Sequence, residues 1–96
     1  MIINYNLIPD STMDSLKRYI EDGVPTGDFL RAVLSNDLFE ACGRADDFNA
    51  AALWHIVAWI YNEAPRQCHG SPEAVDSWLE RKQAESSTLT VGRDPE

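Results

Sequence analysis

The sequence predicts a compact all-α domain of about five short helices around a central apolar helix at 47–63, with an extended N-terminal arm. Three observations carry this. Residues 50–64, AAALWHIVAWIYNEA, form a helix-length run with apolar residues on nearly every side, and a helix of that kind has to be covered all round. Within it Leu53, Ile56, Val57 and Ile60 recur at i, i+3, i+4 and i+7, the stripe expected to face the core. Every other periodic stretch is closed by a helix cap or stop residue within a few positions, which leaves no room for a second domain in 96 residues.

The elements follow in order. Residues 2–8, IINYNLI, are too short and asparagine-rich for a strand and read as an arm packed by Ile3, Tyr5 and Leu7 or Ile8. The first helix, 12–22, starts near Ser11 or Thr12, places Met13, Leu16 and Ile20 on one face, and stops at Gly23. Val24-Pro25 forces an extended step, after which Thr26 is the expected cap of a second helix, 27–35, with Phe29, Leu30, Val33 and Leu34 inward. Ser35-Asn36-Asp37 reads as a stop followed at once by a new cap, and the brief third helix, 37–43, ends at Gly43. Asp46 caps the central helix, which Pro65 closes. Residues 66–70 form a loop. Ser71-Pro72-Glu73 then supplies a cap, an N1 proline and an acidic first turn for a fifth helix, 72–83, burying Val75, Trp78 and Leu79. The domain is therefore expected at 1–83, with 84–96, AESSTLTVGRDPE, as a disordered polar tail.

Charge and composition exclude several functions. Sixteen acidic against eight basic residues give a net charge of −8, which repels phosphate backbones and argues against direct nucleic-acid binding. DNA mimicry is disfavoured too, because Asp10, Asp14, Asp28, Asp37, Asp46, Asp47, Glu73 and Asp76 fall at or near predicted helix starts, where they cap N–H groups and offset the macrodipole. No run approaches the roughly 18 apolar residues of a membrane span, and the N-terminus lacks the basic flank and cleavage site of a signal peptide, so a soluble, cytosolic protein is expected. Two cysteines are too few for a disulfide scaffold, and Cys42 is placed on an apolar helix face as a small hydrophobe.

No catalytic motif emerges. Cys42, His55, Cys68 and His69 lack the short paired spacings of structural zinc, and a Cys68–His69 nucleophilic pair lacks a separate orienting group. Asp46-Asp47 and Glu21-Asp22 are helix-end carboxylates before they are acid–base candidates, and the five glycines stand singly rather than in a phosphate-binding loop. The sequence implies no metal, no cofactor and no enzyme activity. Two groups of residues merit attention instead. Asn36, Asp37, Arg44, Asp46, Asn62 and His69 fall at the helix junctions, either as a structural network with Arg44 bridging carbonyls or Asp46, or, with Asn36, Arg44, Asp46, Tyr61, Asn62 and His69 as candidate ligand residues, as a pocket in which Arg44 pairs with phosphate and Tyr61 or a tryptophan stacks on a base. Opposite the apolar stripe of the central helix lie Ala51, His55, Ala58 and Asn62, rimmed by Phe48 and Trp59. Small and polar residues between aromatics suit a helix–helix contact, and Phe48, Ala51, His55, Ala58 and Trp59 form either the candidate interface of a homodimer or, in a monomer, a face covered by the first or fifth helix.

The runs GDFLRAVLSNDLFEACGRAD (27–46), ALWHIVAWIYNEAP (52–65) and CHGSPEAVDSWLER (68–81) resemble a family of small tailed-bacteriophage proteins of unknown function. The likeness covers roughly Leu7 to Lys82, with Ser35-Asn36-Asp37-Leu38, Gly43-Arg44-Ala45-Asp46, Tyr61-Asn62 and Gly70-Ser71-Pro72-Glu73 as its signature pieces. The family has no established activity, so the resemblance implies context and no site residue. That context is a phage accessory protein in the host cytoplasm, acting as a host-interaction or anti-defence inhibitor of a bacterial protein. The alternatives are a sponge that sequesters a nucleotide-type immune signal, or a small enzyme.

Overall fold

The computed structural model describes residues 3–92, with side chains over 3–85. The chain is all-helical: a 3₁₀ turn at Tyr5–Leu7, then α1 (Asp10–Asp22), α2 (Asp28–Leu34), α3 (Leu38–Arg44), α4 (Asp47–Glu63), a second 3₁₀ turn at Arg66–Cys68, and α5 (Pro72–Gly92). No strand occurs among the described residues.

Local chemistry sets most helix ends. Asp37 Oδ1 accepts from Glu40 N–H at 3.1 Å, Asp46 Oδ1 from Asn49 N–H at 2.8 Å and Ser71 Oγ from Ala74 N–H at 3.1 Å, so α3, α4 and α5 each start on a side-chain cap. The two other starts differ from expectation. α1 begins at Asp10, behind Pro9 with no side-chain cap, and α2 follows Gly27, because the Thr26 hydroxyl bonds the Gly27 carbonyl instead of a helix N–H. At the C-terminal ends, Gly23 takes φ +69° and its N–H bonds Tyr19 C=O at 3.1 Å. α2 ends in a Schellman turn, with Asp37 N–H on Ala32 C=O at 2.9 Å and Asn36 N–H on Val33 C=O at 3.0 Å. Asn36 occupies the left-handed position, φ +64°, which asparagine tolerates better than most side chains.

The core lies where α1, α2, α4 and α5 meet. Leu16, Tyr19, Leu34, Ile56 and Cys68 are fully buried, joined by Ile8, Leu30, Ala52, Ile60, Val75 and Trp78. Tyr19 knits three elements: its hydroxyl donates to Cys68 C=O at 2.7 Å, and its own carbonyl accepts from Trp78 Nε1 at 3.1 Å. Buried Thr12 ties α1 to α4 by donating to Asn49 Oδ1 at 2.6 Å. The first-helix face is therefore Thr12, Leu16 and Tyr19, with Met13 and Ile20 only half-buried at its edges. Gly23 is also a close-approach residue, since a Cβ there would collide with Lys82 Cβ of α5.

Three expectations need correction. The central helix is not covered all round: Ala52, Ile56, Ala58 and Ile60 are buried, Leu53 is half-buried, and Val57 is exposed. Cys42 is exposed rather than set in an apolar face. The fifth helix does not end at residue 83; α5 is helical to Gly92, since the 84–91 segment holds neither proline nor glycine to interrupt it. The remainder of the expected tail, 93–96, lies outside the described residues.

Candidate functional site

The six candidate ligand residues do not converge. Arg44 is exposed and held by two carboxylates, Glu40 Oε2 at 2.7 Å and Asp28 Oδ2 at 3.2 Å. The hydrogen bond and charge of Glu40, followed by the charge of Asp28, raise its pKa above the ordinary value. It bridges neither backbone carbonyls nor Asp46, whose carboxylate is the α4 cap. Arg44 and Asp46 line one depression beside α1, whereas Asn36, Tyr61 and His69 line another between α2 and α4. Asn62 belongs to neither: its amide donates to Tyr5 OH at 3.2 Å. His69 is partly buried, and that burial, with the nearby Arg66 charge, lowers its pKa below the usual imidazole value.

The candidate homodimer face is partly covered within the chain. The N-terminal arm lies on it, with Asn4 N–H donating to His55 Nδ1 at 3.1 Å and Tyr5 OH donating to Glu63 Oε2 at 3.3 Å. Ile8 anchors the arm in the core. Ala58 is buried, Trp59 packs half-buried against the core, and His55 is half-buried; only Phe48 and Ala51 of the five remain exposed. The widest opening near this face, about 650 Å³, runs beside the arm past Leu7, Phe48 and Ala51, and the only charged groups lining it are the carboxylates of Asp10 and Asp47.

The open surface is on the other side of α4. Trp54, Val57 and Tyr61, at i, i+3 and i+7, are 51%, 42% and 81% exposed, and on α3 Leu38 and Phe39 are 61% and 89% exposed. Between these helices runs a groove made of two adjoining hollows. One, about 180 Å³, is lined by Val33, Asn36, Asp37, Leu38, Ala41, Leu53 and Val57. The other, about 240 Å³, is lined by Val33, Asn36, Val57, Ile60, Tyr61, His69 and Gly70. They share Val33, Asn36 and Val57, so the trough is continuous. The Schellman turn at Asn36 creates it, because the reversal sets α3 beside α2 with Leu38 and Ala41 facing the outer edge of α4. Sequence reasoning missed this surface by assigning Leu53 and Val57 to the core.

Nothing in the thiols favours nucleophilic chemistry. Cys68 is fully buried, and loss of solvation pushes its pKa up to about 11, the reverse of what an attacking thiolate requires. Among the described residues no three His, Cys, Asp or Glu side chains gather in an arrangement able to hold a metal ion, and no helix is long and apolar enough to cross a membrane. No family model, curated protein or solved structure matches the chain.

Proposed function

We propose that this protein works by binding, without turnover, and that the α3–α4 groove docks it on a bacterial host protein as a phage-encoded host-interaction or anti-defence inhibitor in the host cytoplasm. The observation that carries the docking reading is the outer stripe Trp54-Val57-Tyr61, which leaves apolar side chains in water beside a groove that is itself apolar. A folded domain that exposes a contiguous apolar patch gains free energy by covering it. The trough is lined by no Lys or Arg that could hold a phosphate and carries the Asp37 carboxylate, so it suits inserted side chains better than a nucleotide. The sponge reading also lacks its phosphate anchor, since Arg44 serves Glu40 and Asp28 in a different depression. The phage and host context rests on the sequence resemblance alone.

Affinity purification of the tagged protein from expressing bacteria, with mass spectrometry of both proteins and small molecules, tests this. A host protein retained by the native chain and lost with Val57→Glu supports docking through the groove. A co-purifying nucleotide, or a protein set unchanged by Val57→Glu, contradicts it.

A further inference from the structure

We infer that the groove's occupant is a basic amphipathic helix of the partner, with apolar anchors about one turn apart and Lys or Arg along its flanks, rather than a second copy of this chain. The inference rests on the groove being the docking surface. From Leu53 to Tyr61 the open face of α4 spans eight helical steps, about 12 Å at 1.5 Å per residue, which matches anchors at i, i+4 and i+7 of a helix laid along it.

Three further observations choose the charge. The chain carries −8, and α4 contains neither Lys nor Arg between Asp47 and Glu63. Several basic side chains are already engaged elsewhere: Arg31 with Asp76, Arg44 with Asp28 and Glu40, Lys82 with Glu85. The groove itself holds a carboxylate, Asp37, at its α3 end. Exposed aromatic faces add a second attraction for cations. Trp78 shows the pairing within the chain, with Arg81 and Lys82 at 4.9 and 5.1 Å from its ring, while Tyr61 lines the groove with its ring largely exposed and Phe39 and Trp54 are exposed on the same two helices. A second copy would bring another −8 to the same surface, and the like charges repel over the encounter distance.

The test uses the full-length protein and two fluorescein-labelled helical peptides with the same leucines at i, i+4 and i+7, one flanked by lysines and the other by glutamates. Fluorescence anisotropy at low salt is expected to show the lysine peptide binding roughly tenfold or more tightly than its glutamate counterpart, a gap that narrows as salt screens the charges. Val57→Glu and, at the more exposed position, Tyr61→Glu should each weaken the lysine peptide by about tenfold, equivalent to 1.4 kcal/mol. Circular dichroism checks that each variant is folded, and Tyr61→Glu carries the test should Val57→Glu fail to fold. Equal affinity for both peptides, still lost in these variants, overturns the basic occupant and leaves the groove standing. Binding of neither peptide, or binding indifferent to both substitutions, overturns the groove as well. Sedimentation showing a dimer of the native chain that Val57→Glu dissociates gives the groove to a second copy and equally overturns the inference.

Discussion

Replacing Gly23 with alanine probes the joint between α1 and α5 more sharply than any core truncation. Two independent costs fall on one methyl group. The backbone at Gly23 has φ +69°, a region where an L side chain costs about 1–2 kcal/mol. The new Cβ would also overlap Lys82 Cβ, an atom fixed to the α5 backbone that cannot swing aside as the ammonium end could, so the helices must part by a fraction of an ångström. Forcing an extra methyl into a closed contact costs about 1–3 kcal/mol, which brings the expected loss to about 2–5 kcal/mol. For a domain of this size that is a fall in Tm on the order of 10 °C or more. Gly23→Asn separates the two terms, because asparagine tolerates the left-handed conformation but keeps the Cβ. It should recover only part of the loss. Gly43→Ala is the control: with no atom within 4 Å of an added Cβ and a helical position in α3, it should stabilise by up to about 1 kcal/mol. Urea or thermal unfolding followed by circular dichroism measures all three. A Gly23→Ala loss below about 0.5 kcal/mol would refute the close approach of α1 and α5.

The remaining predictions address core, thiols and pH. Ile56→Ala should cost about 2–5 kcal/mol in denaturant unfolding because its side chain is fully buried, whereas Val57→Ala should stay within about 0.5 kcal/mol; similar losses at both positions would show that α4 is covered all round. Tyr19→Phe leaves the Cys68 carbonyl without its buried donor and should cost about 1–3 kcal/mol by the same measurement, with a near-zero effect contradicting the Tyr19–Cys68 link. Thiol titration of the native protein should give one fast-reacting group, Cys42, with Cys68 reacting only on unfolding; two fast thiols would contradict the burial of Cys68. Burial raises the Tyr19 phenol and pushes the Cys68 thiol up to about 11, while the unfolded chain releases these protons near pH 8.5–10. The folded state then binds more protons, so stability is full below that range and falls as pH rises through it, and Tyr19→Phe should flatten the slope above about pH 10. His69 works in the opposite direction. Its lowered pKa adds stability that is present above about pH 6.5 and is lost as the pH falls, and His69→Gln should remove that part of the acid slope.

The parts of the fold legible in the sequence are those set by neighbours within a helical turn. Asp37, Asp46 and Ser71 each reach a backbone N–H three residues on, and Gly23 and Asn36 stop helices through their own φ angles, so their roles could be assigned without tertiary information. The inward face of α4 was only partly legible: of the expected stripe, Ile56 and Ile60 are buried and Leu53 half-buried, but Val57 is exposed. With apolar residues on nearly every side the period carries little information, and the inward face follows from what α1 and α5 place opposite it: Ala52 and Ile56 were selected, Val57 was not. The arm over His55 was hidden for a related reason, as a backbone N–H finds an imidazole 51 residues away. Arg44 shows the same limit at the candidate site. Glu40 sits at the helical i,i+4 spacing from it, yet Asp28 comes from a different helix, so only one of its two partners could be read from spacing. The groove emerged only once the turn at Asn36 had set α3 beside α2, so that Leu38 and Ala41 share a hollow with Leu53 and Val57 of α4.

The central claim, that the outer face of α4 beside α3 is the docking surface, is tested most directly by site-specific photo-crosslinking in expressing bacterial cells. A photoreactive residue replaces Val57 in one experiment and Phe48, exposed on the arm side of the same helix, in another. A discrete adduct from position 57, mapped by mass spectrometry to a lysine- or arginine-flanked helix of a host protein and missing from position 48, is the predicted result. The same adduct from both positions, or from position 48 alone, would contradict it.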